Sequence, residues 1–209
     1  MIKEVKVTVP NNWSAITLKD YLELQADLET YKDDESAYIA VLFYRLCKIS
    51  PEMMMNMDVQ SFAQIRDHLQ KFISSNDYDL KPIIKIGDKE YGFEPNLAEM
   101  EYGAYLDITK FGDLTINKDW AKVMSILYRP IEKKNGKVYS ITKYNAEDNS
   151  NLFLDVTMDV HFGVQSFFFR ISNQLLKDTL NSLEKEGKKL EALADTEQDL
   201  PKSGMPTQQ

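Results

Sequence analysis

The strongest constraint on the fold is a proline that directly follows a helical pattern. In WAKVMSILYRPI, residues 120–131, apolar side chains recur at the spacing of one helix face: Trp120, Val123, Met124 and Leu127. Pro130 has no backbone N–H to donate, and its ring disfavours helical geometry at Arg129. The sequence therefore predicts that a helix ends here and that the chain continues as a strand.

Two glycine-containing turns predict β-hairpins. Gly87-Asp88 lies between the alternating arms of PIIKIGDKEYGF, and Asn135-Gly136 lies between the arms of IEKKNGKVYSI. Glycine supplies the positive φ that a two-residue hairpin turn requires. A further strand is predicted from Ile2 to Val9, where apolar residues alternate until Pro10.

Apolar residues at helical spacing predict several helices, so the expected fold class is α+β and mainly α-helical. The predicted helices cover about 17–31, 35–48, 58–73, 97–109, 118–128 and 160–185, with Asp58 as an N-cap. Beyond residue 185 the chain is charged and contains proline and glycine, so residues 186–209 are expected to form a flexible acidic tail.

The two halves of the chain align with each other at one constant offset. At 84 residues Tyr21 faces Tyr105, and the helix ending Tyr44-Arg45 faces Tyr128-Arg129. MDV at 57–59 recurs at 158–160, an offset of 101 that an inserted hairpin explains. We interpret this as an internal duplication of a strand–helix–helix–helix unit, with small β-hairpins. The alternative is that two amphipathic helix pairs align by chance.

The duplication predicts a domain organisation and a role for the repeated residues. Residues 1–80 would form an N-terminal repeat unit, and residues 81–185 a C-terminal unit with the inserted hairpin, packed as one body. At the repeated positions the tyrosines would pack between the units, and each arginine would pair with a carboxylate or with the last carbonyls of its helix. A ligand-binding role for the arginines is the alternative. These structural repeat positions are Tyr44, Arg45, Tyr128 and Arg129.

Composition restricts the partners and the compartment. A net charge of −8 disfavours nucleic acid, because phosphate neutralisation needs clustered Lys and Arg. No apolar run reaches the roughly 18 residues of a membrane span, so no membrane partner is expected. The single cysteine, Cys47, lies in an apolar helical run; a buried inert thiol is expected in preference to a nucleophile. Together these features predict a soluble cytoplasmic protein.

Catalytic and metal-binding patterns are missing from the sequence. His68 and His161 lie in separate predicted helices without a HExxH or CxxC companion. No phosphate-binding glycine loop and no GxSxG elbow occurs. We therefore expect no enzymatic activity, no cofactor and no metal. Converging carboxylates in a pocket would be an alternative that sequence alone does not test.

Two apolar features are candidates for binding another protein. The connector PEMMMNMD contains Met53, Met54, Met55 and Met57, which form either a gap-filling part of the core or an adaptable binding surface. In QSFFFRI, Phe167, Phe168 and Phe169 occupy three successive helix positions, which span about 200°. One core face does not bury all three, so at least one is expected to meet a second surface. Self-association into a homo-oligomer is a further possibility.

The second half of the chain resembles a family of tailed-bacteriophage morphogenesis proteins, the tail assembly chaperones or baseplate hub assembly proteins. The resemblance rests on a helix ending in Leu-Tyr-Arg-Pro, a charged hairpin with a glycine turn, and a long helix with a glycine and paired phenylalanines. The motifs are Leu127–Pro130, Asn135-Gly136, Tyr139–Ile141, Gly163, Phe167-Phe168, and upstream Tyr91–Phe93 and Tyr102–Asp107. Met158 stands where such proteins often have a proline before the last helix.

The resemblance implies a non-enzymatic assembly factor. Such a chaperone would bind a tail or baseplate protein, of tape-measure or hub type, in the host cytoplasm before the tail is built. The alternative is a permanent structural virion protein of the baseplate, neck or tail. Contacts are expected at the phenylalanines and at the methionine connector.

Overall fold

The computed structural model describes residues 7–75, 77–111 and 114–198, with side chains to residue 188. The first half of the chain is helical and the second half combines a sheet with helices. The helices are α1 Leu18–Thr30, α2 Glu35–Cys47, α3 Pro51–Met55, α4 Val59–Ser74, α5 Tyr102–Thr109, α6 Trp120–Leu127, α7 Asn151–Leu154 and α8 Met158–Gln198. The strands are β1 Ile83–Ile86, β2 Lys89–Phe93, β3 Tyr128–Asn135 and β4 Val138–Ile141. The predicted class, mainly helical α+β, is confirmed.

The four strands form one antiparallel sheet in the order β1-β2-β3-β4. The two predicted hairpins supply its outer pairs, and β2 joins them by pairing with β3, with Gly92 opposite Arg129. The sheet therefore brings the residues after α6 against the first hairpin, which lies about 40 residues earlier in the chain.

The helix-to-strand switch at Pro130 is confirmed. Helix α6 ends at Leu127, and β3 begins at the next residue, Tyr128. The carbonyl of Leu127 accepts a hydrogen bond from the backbone N–H of Glu94 at 2.8 Å. This bond satisfies one of the carbonyls that a helix end leaves without an intrahelical partner.

Side-chain caps set the starts of the N-terminal helices. Thr17 accepts a hydrogen bond from the N–H of Asp20. Asp58 accepts one from the N–H of Ser61, which confirms the predicted cap. Asp34 and Ser50 cap α2 and α3 in the same way.

Both hairpin turns begin with a glycine at positive φ. Gly87 has φ +59° and Gly136 has φ +61°. In the second hairpin Asn135 pairs with Val138, so the turn is Gly136-Lys137, one residue later than predicted. Because the glycine occupies the first turn position, no second residue needs a positive φ.

The duplication stays a prediction. Short 3-10 turns at Trp13–Ala15 and Leu97–Glu99 and the starts of α1 and α5 do recur at the offset of 84 residues. The predicted strand Ile2–Val9 has no counterpart at residues 7–9, which form no strand, and its other residues lie outside the described ones. Helix α2 ends in a left-handed residue, Lys48, whereas α6 passes into a strand.

The chain divides into two compact units within α8: Met1–Phe167 and Phe168–Gln209. Both predicted repeat units fall largely within the first. Helix α8 continues to Gln198, so the predicted helix end at residue 185 is wrong, and the part of the expected flexible tail from 186 to 198 is helical. The remainder of that tail lies outside the described residues.

In the first unit, the start of α8 packs against the N-terminal segment. Met158 donates its N–H to the carbonyl of Ile16 at 2.8 Å. Trp13 stacks on Phe72 with ring centroids 4.4 Å apart and meets Phe162 edge-on at 5.1 Å. Residues from both halves of the sequence therefore share one aromatic core.

Gly163 lies where this core leaves no space for a side chain. A Cβ atom at Gly163 would lie 2.6 Å from the backbone carbonyl oxygen of Asp79. Since backbone moves less readily than a side-chain tip, Gly163→Ala is expected to lower the free energy of unfolding of the first unit by about 1–3 kcal/mol. Gly187→Ala is the control in the same helix, because a Cβ there meets nothing within 4 Å. Urea unfolding followed by tryptophan fluorescence measures both; equal stability of the two variants would contradict the prediction.

Candidate functional site

The methionine connector lies outside the core. Ser50 caps α3 and Pro51 opens it, so that Met53, Met54 and Met55 follow within a single short helix. Met55 is 79% exposed, and the other three methionines are half-buried. Val59, the first residue of α4, is 85% exposed. None of these methionines belongs to the buried core, and the exposure of Met55 favours the binding interpretation, which stays a prediction. We call the set the methionine surface: Met53, Met54, Met55, Met57 and Val59.

The three phenylalanines of α8 have different environments. Phe167 belongs to the first unit, where its ring meets Phe93 edge-on at a centroid distance of 5.4 Å. Phe168 is half-buried, and Phe169 is 67% exposed. The expectation that one face cannot bury all three is confirmed, and Phe169 is the residue left for a second surface. Phe167 is held by the fold, which its place in the sequence did not indicate.

A second exposed apolar surface follows Phe169 along α8. Its four leucines are between 52% and 62% exposed, which is unusual for so many large apolar side chains on one helix. They are Leu175, Leu176, Leu180 and Leu183. The sequence analysis did not single out these residues, although their three- and four-residue spacing was a usable signal.

The two repeated arginines both pair with carboxylates. Arg45 binds Asp27 at 2.7 Å and Glu23 at 2.6 Å, in a partly exposed pair. Arg129 binds Glu94 and, at 3.0 Å, Glu101; the Arg129 and Glu94 side chains are 7% and 8% exposed. The predicted carboxylate pairing is confirmed at both positions, but the partners do not correspond at the offset of 84 residues.

The repeated tyrosines are not equivalent. Tyr128 is buried and donates a hydrogen bond to the carbonyl of Lys81 at 2.6 Å; burial raises the pKa of its hydroxyl. Tyr44 is 53% exposed. The prediction that Tyr44 packs between units is wrong. Tyr44 lies within α2, which continues to Cys47, whereas Tyr128 is the first residue of β3.

A buried polar pair in the first unit was missed by sequence reasoning. His161 is fully buried, and its Nδ1 accepts a hydrogen bond from Trp120 Nε1 at 3.1 Å. Its Nε2 lies 3.2 Å from the carbonyl of Val156, to which it donates. Burial lowers the pKa of His161 to about 4, so the ring is neutral at pH 7. The role of His161 is therefore structural, because both ring nitrogens already form hydrogen bonds within the protein.

Cys47 is buried and His68 contacts a backbone carbonyl, so neither is placed as a nucleophile or a metal ligand. Cys47 is buried, as expected, and burial raises the pKa of its thiol to about 11, so the thiol stays protonated at neutral pH. It borders a cavity of about 460 Å³ whose polar lining includes Asp20 and Arg45. His68 is exposed and lies 3.1 Å from the carbonyl of Pro10. Among residues 7–75, 77–111 and 114–188, no cluster of three His, Cys, Asp or Glu side chains is arranged to hold a metal ion.

Comparison with known proteins gives no relative: no family model, no curated protein and no solved structure matches the chain. In the part of the chain that the structure describes, no helix has the length and apolarity needed to span a bilayer.

Proposed function

We propose that this protein is a non-enzymatic bacteriophage morphogenesis factor that binds a tail or baseplate protein as an assembly chaperone in the host cytoplasm. The observation that carries the binding role is the position of the methionine surface outside the core. Unbranched, polarisable methionine side chains re-pack against different partners at low cost, which suits transient holding of a long apolar client. The phage context comes from the resemblance of the hairpin and long-helix motifs.

The chemistry of the first unit supports a binding role in preference to catalysis. Its buried histidine, His161, is engaged in two structural hydrogen bonds, and its buried thiol is protonated. The carboxylates of Glu94 and Glu101 form ion pairs with Arg129. The histidine and these carboxylates are engaged in structural contacts and the thiol is buried, whereas a general base or nucleophile needs an accessible lone pair.

The alternative is a permanent structural component of the baseplate, neck or tail. The exposed leucines of α8 favour it, because permanent assemblies bury large apolar interfaces. The two functions differ in one observable property, which is whether the protein remains in the finished particle.

Affinity capture of tagged protein from phage-producing cells, with mass spectrometry of the captured proteins and of purified virions, separates these functions. A captured tape-measure, hub or other tail protein, with the bait absent from virions, is the result expected for a chaperone. Bait abundant in virions would indicate a structural component. If no phage protein is captured and virions lack the bait, the phage assignment is wrong.

The methionine surface is tested by one substitution in the same capture experiment. Met55→Glu places a charge at the most exposed methionine of the connector, so capture of the tail or baseplate protein is expected to fall about tenfold. Val138→Glu is the matched control, since Val138 in β4 is 76% exposed and distant in sequence. An equal loss with both variants, or with neither, would show that the methionine surface is not the binding site.

A further inference from the structure

The leucines of α8 form a stripe with the spacing of a coiled-coil seam. Leu176, Leu180 and Leu183 are separated by four and then three residues and are 58%, 52% and 58% exposed. Continuing the same spacing of three and four residues in both directions places Asn173 before these leucines and Gly187 after them. Leu176 and Leu183 are then d positions of a heptad, and Leu180 is an a position. Leu175, although 62% exposed, falls on the outer c position.

An exposed leucine seam on a long helix is expected to pack against another apolar surface. Isolated helices are marginal in water, and most helical stability in proteins comes from packing an apolar face. The exposed fractions of these three leucines show that the face is uncovered in the single chain. Their regular spacing suits another helix, because a/d side chains interdigitate with the same pattern on a partner.

Charges beside the seam select the occupant and its direction. Lys177 and Glu184 each directly follow a d leucine, so both are e positions. In an antiparallel pair of identical helices, e positions face e positions of the other copy. When Leu180 packs beside Leu183 of the second copy, Lys177 of each helix faces Glu184 of the other, which gives two opposite-charge pairs by symmetry.

The parallel alternative gives no such pairing. There e positions face g positions, so Lys177 would face Ser172 and Glu184 would face Thr179. Asn173 at an a position would pair with itself, which is a feature of parallel dimers. The parallel arrangement therefore predicts insensitivity to the Lys177 and Glu184 charges, and the two directions are distinguishable by experiment.

We propose that the α8 segment from Asn173 to Gly187 binds the same segment of a second copy of this chain, in antiparallel orientation. The seam is formed by Leu176, Leu180 and Leu183, and the direction is set by the Lys177–Glu184 pairs. This dimer concerns self-association and is independent of the tail or baseplate protein that the methionine surface binds.

Sedimentation equilibrium of the full chain over a range of concentrations tests the seam. The wild type is expected to form a dimer, and Leu180→Glu is expected to raise the dimer dissociation constant at least about tenfold. Leu175→Glu, the same substitution on the same helix but off the seam, is expected to change it less than about twofold. Both leucines are exposed, so near-ultraviolet circular dichroism of the tryptophans should stay unchanged. A wild type that stays monomeric, or equal effects of the two variants, overturns the proposal.

Charge reversal tests the direction. Lys177→Glu and Glu184→Lys are each expected to weaken the dimer roughly three- to tenfold, because each creates two like-charge pairs. The double variant Lys177→Glu/Glu184→Lys restores the opposite-charge pairs and is expected to return to within about threefold of the wild type. Raising the salt concentration should shrink all of these differences. A dimer that loses affinity in Leu180→Glu but ignores both single reversals is not antiparallel, and that result overturns the proposed arrangement.

Discussion

Replacing Arg129 by alanine is expected to lower the free energy of unfolding of the Met1–Phe167 unit by about 3–5 kcal/mol. The side chains of Arg129 and Glu94 are 7% and 8% exposed, so the substitution leaves the Glu94 carboxylate buried without its main counter-charge. It also removes the hydrogen bond from Arg129 Nη1 to Glu101 at 3.0 Å. Removing one member of a buried ion pair costs more than the pair contributes, because the remaining charge keeps its desolvation penalty.

Arg45→Ala is the matched control at the repeated position. Arg45 also pairs with two carboxylates, but its side chain is 29% exposed and those of Glu23 and Asp27 are 46% and 37% exposed. Water solvates these charges when the pair is broken, so the expected loss is at most about 1 kcal/mol. Urea unfolding curves followed by tryptophan fluorescence measure both variants, and the Arg129 variant should have the much lower midpoint.

A second substitution separates the charge effect from the loss of packing. Adding Glu94→Gln to Arg129→Ala removes the uncompensated carboxylate and should recover part of the lost stability. Equal losses for Arg45→Ala and Arg129→Ala would contradict the burial argument. If the double variant Arg45→Ala/Arg129→Ala melted at the wild-type temperature, the structural role of both arginines would be wrong.

Local features of the fold could be predicted from the sequence because local chemistry decides them. Thr17 and Asp58 cap helices through backbone groups only three residues away. Gly87 and Gly136 place turns because φ is a property of the single residue. Pro130 ends a helix by steric contact with its neighbours.

Long-range pairings could not be predicted in the same way. The local sequences around Tyr44-Arg45 and Tyr128-Arg129 do not predict that Tyr44 is exposed and that Tyr128 is buried at the start of β3. That difference arises because β2 pairs with β3 and brings Glu94 against Arg129. The same holds for His161, whose acceptor role depends on Trp120 in another helix.

The candidate binding surfaces show why composition alone was ambiguous. Methionine fills core gaps and forms adaptable surfaces equally well, so PEMMMNMD supports both interpretations, and only the exposure of Met55 favours the second. The phenylalanines were better constrained, since three successive helix positions cannot share one face. That argument showed that one of them would be exposed, but only the packing of Phe167 on Phe93 identifies Phe169 as that residue.

Acidification should destabilise the first unit in a pH range set by His161. Burial lowers its pKa to about 4, against about 6.5 in an unfolded chain. At pH 7 the ring is neutral in both states and contributes no pH dependence. As the pH falls below about 6.5, the unfolded state binds a proton that the folded state does not. The free energy of unfolding should then fall by about 1.4 kcal/mol per pH unit, or about 3 kcal/mol by pH 4.

Carboxylates affect the free energy of unfolding at lower pH than His161 does. Burial opposes ionisation of Asp159, but hydrogen bonds from Lys81 and Thr157 hold the pKa of its carboxyl below the ordinary value of 3.8. The stability that such a group contributes is present above its unfolded pKa and is lost only as the pH falls toward its folded pKa. The interval between pH 6.5 and about 4.5 therefore reports mainly on histidine.

His161→Gln isolates the contribution of histidine protonation to the pH dependence of stability. At this fully buried position glutamine keeps an acceptor for Trp120 Nε1 but does not take up a proton between pH 7 and pH 4.5. Urea unfolding at half-unit steps from pH 7 to pH 4.5 should show a falling free energy of unfolding in the wild type and a nearly flat profile in this variant. His68→Gln, on the exposed side of α4, should retain the wild-type slope. Protonation at Nδ1 would also turn the acceptor for Trp120 Nε1 into a donor, so the protonated ring loses this hydrogen bond as well. A His161→Gln profile as steep as that of the wild type would assign the acid sensitivity to other groups.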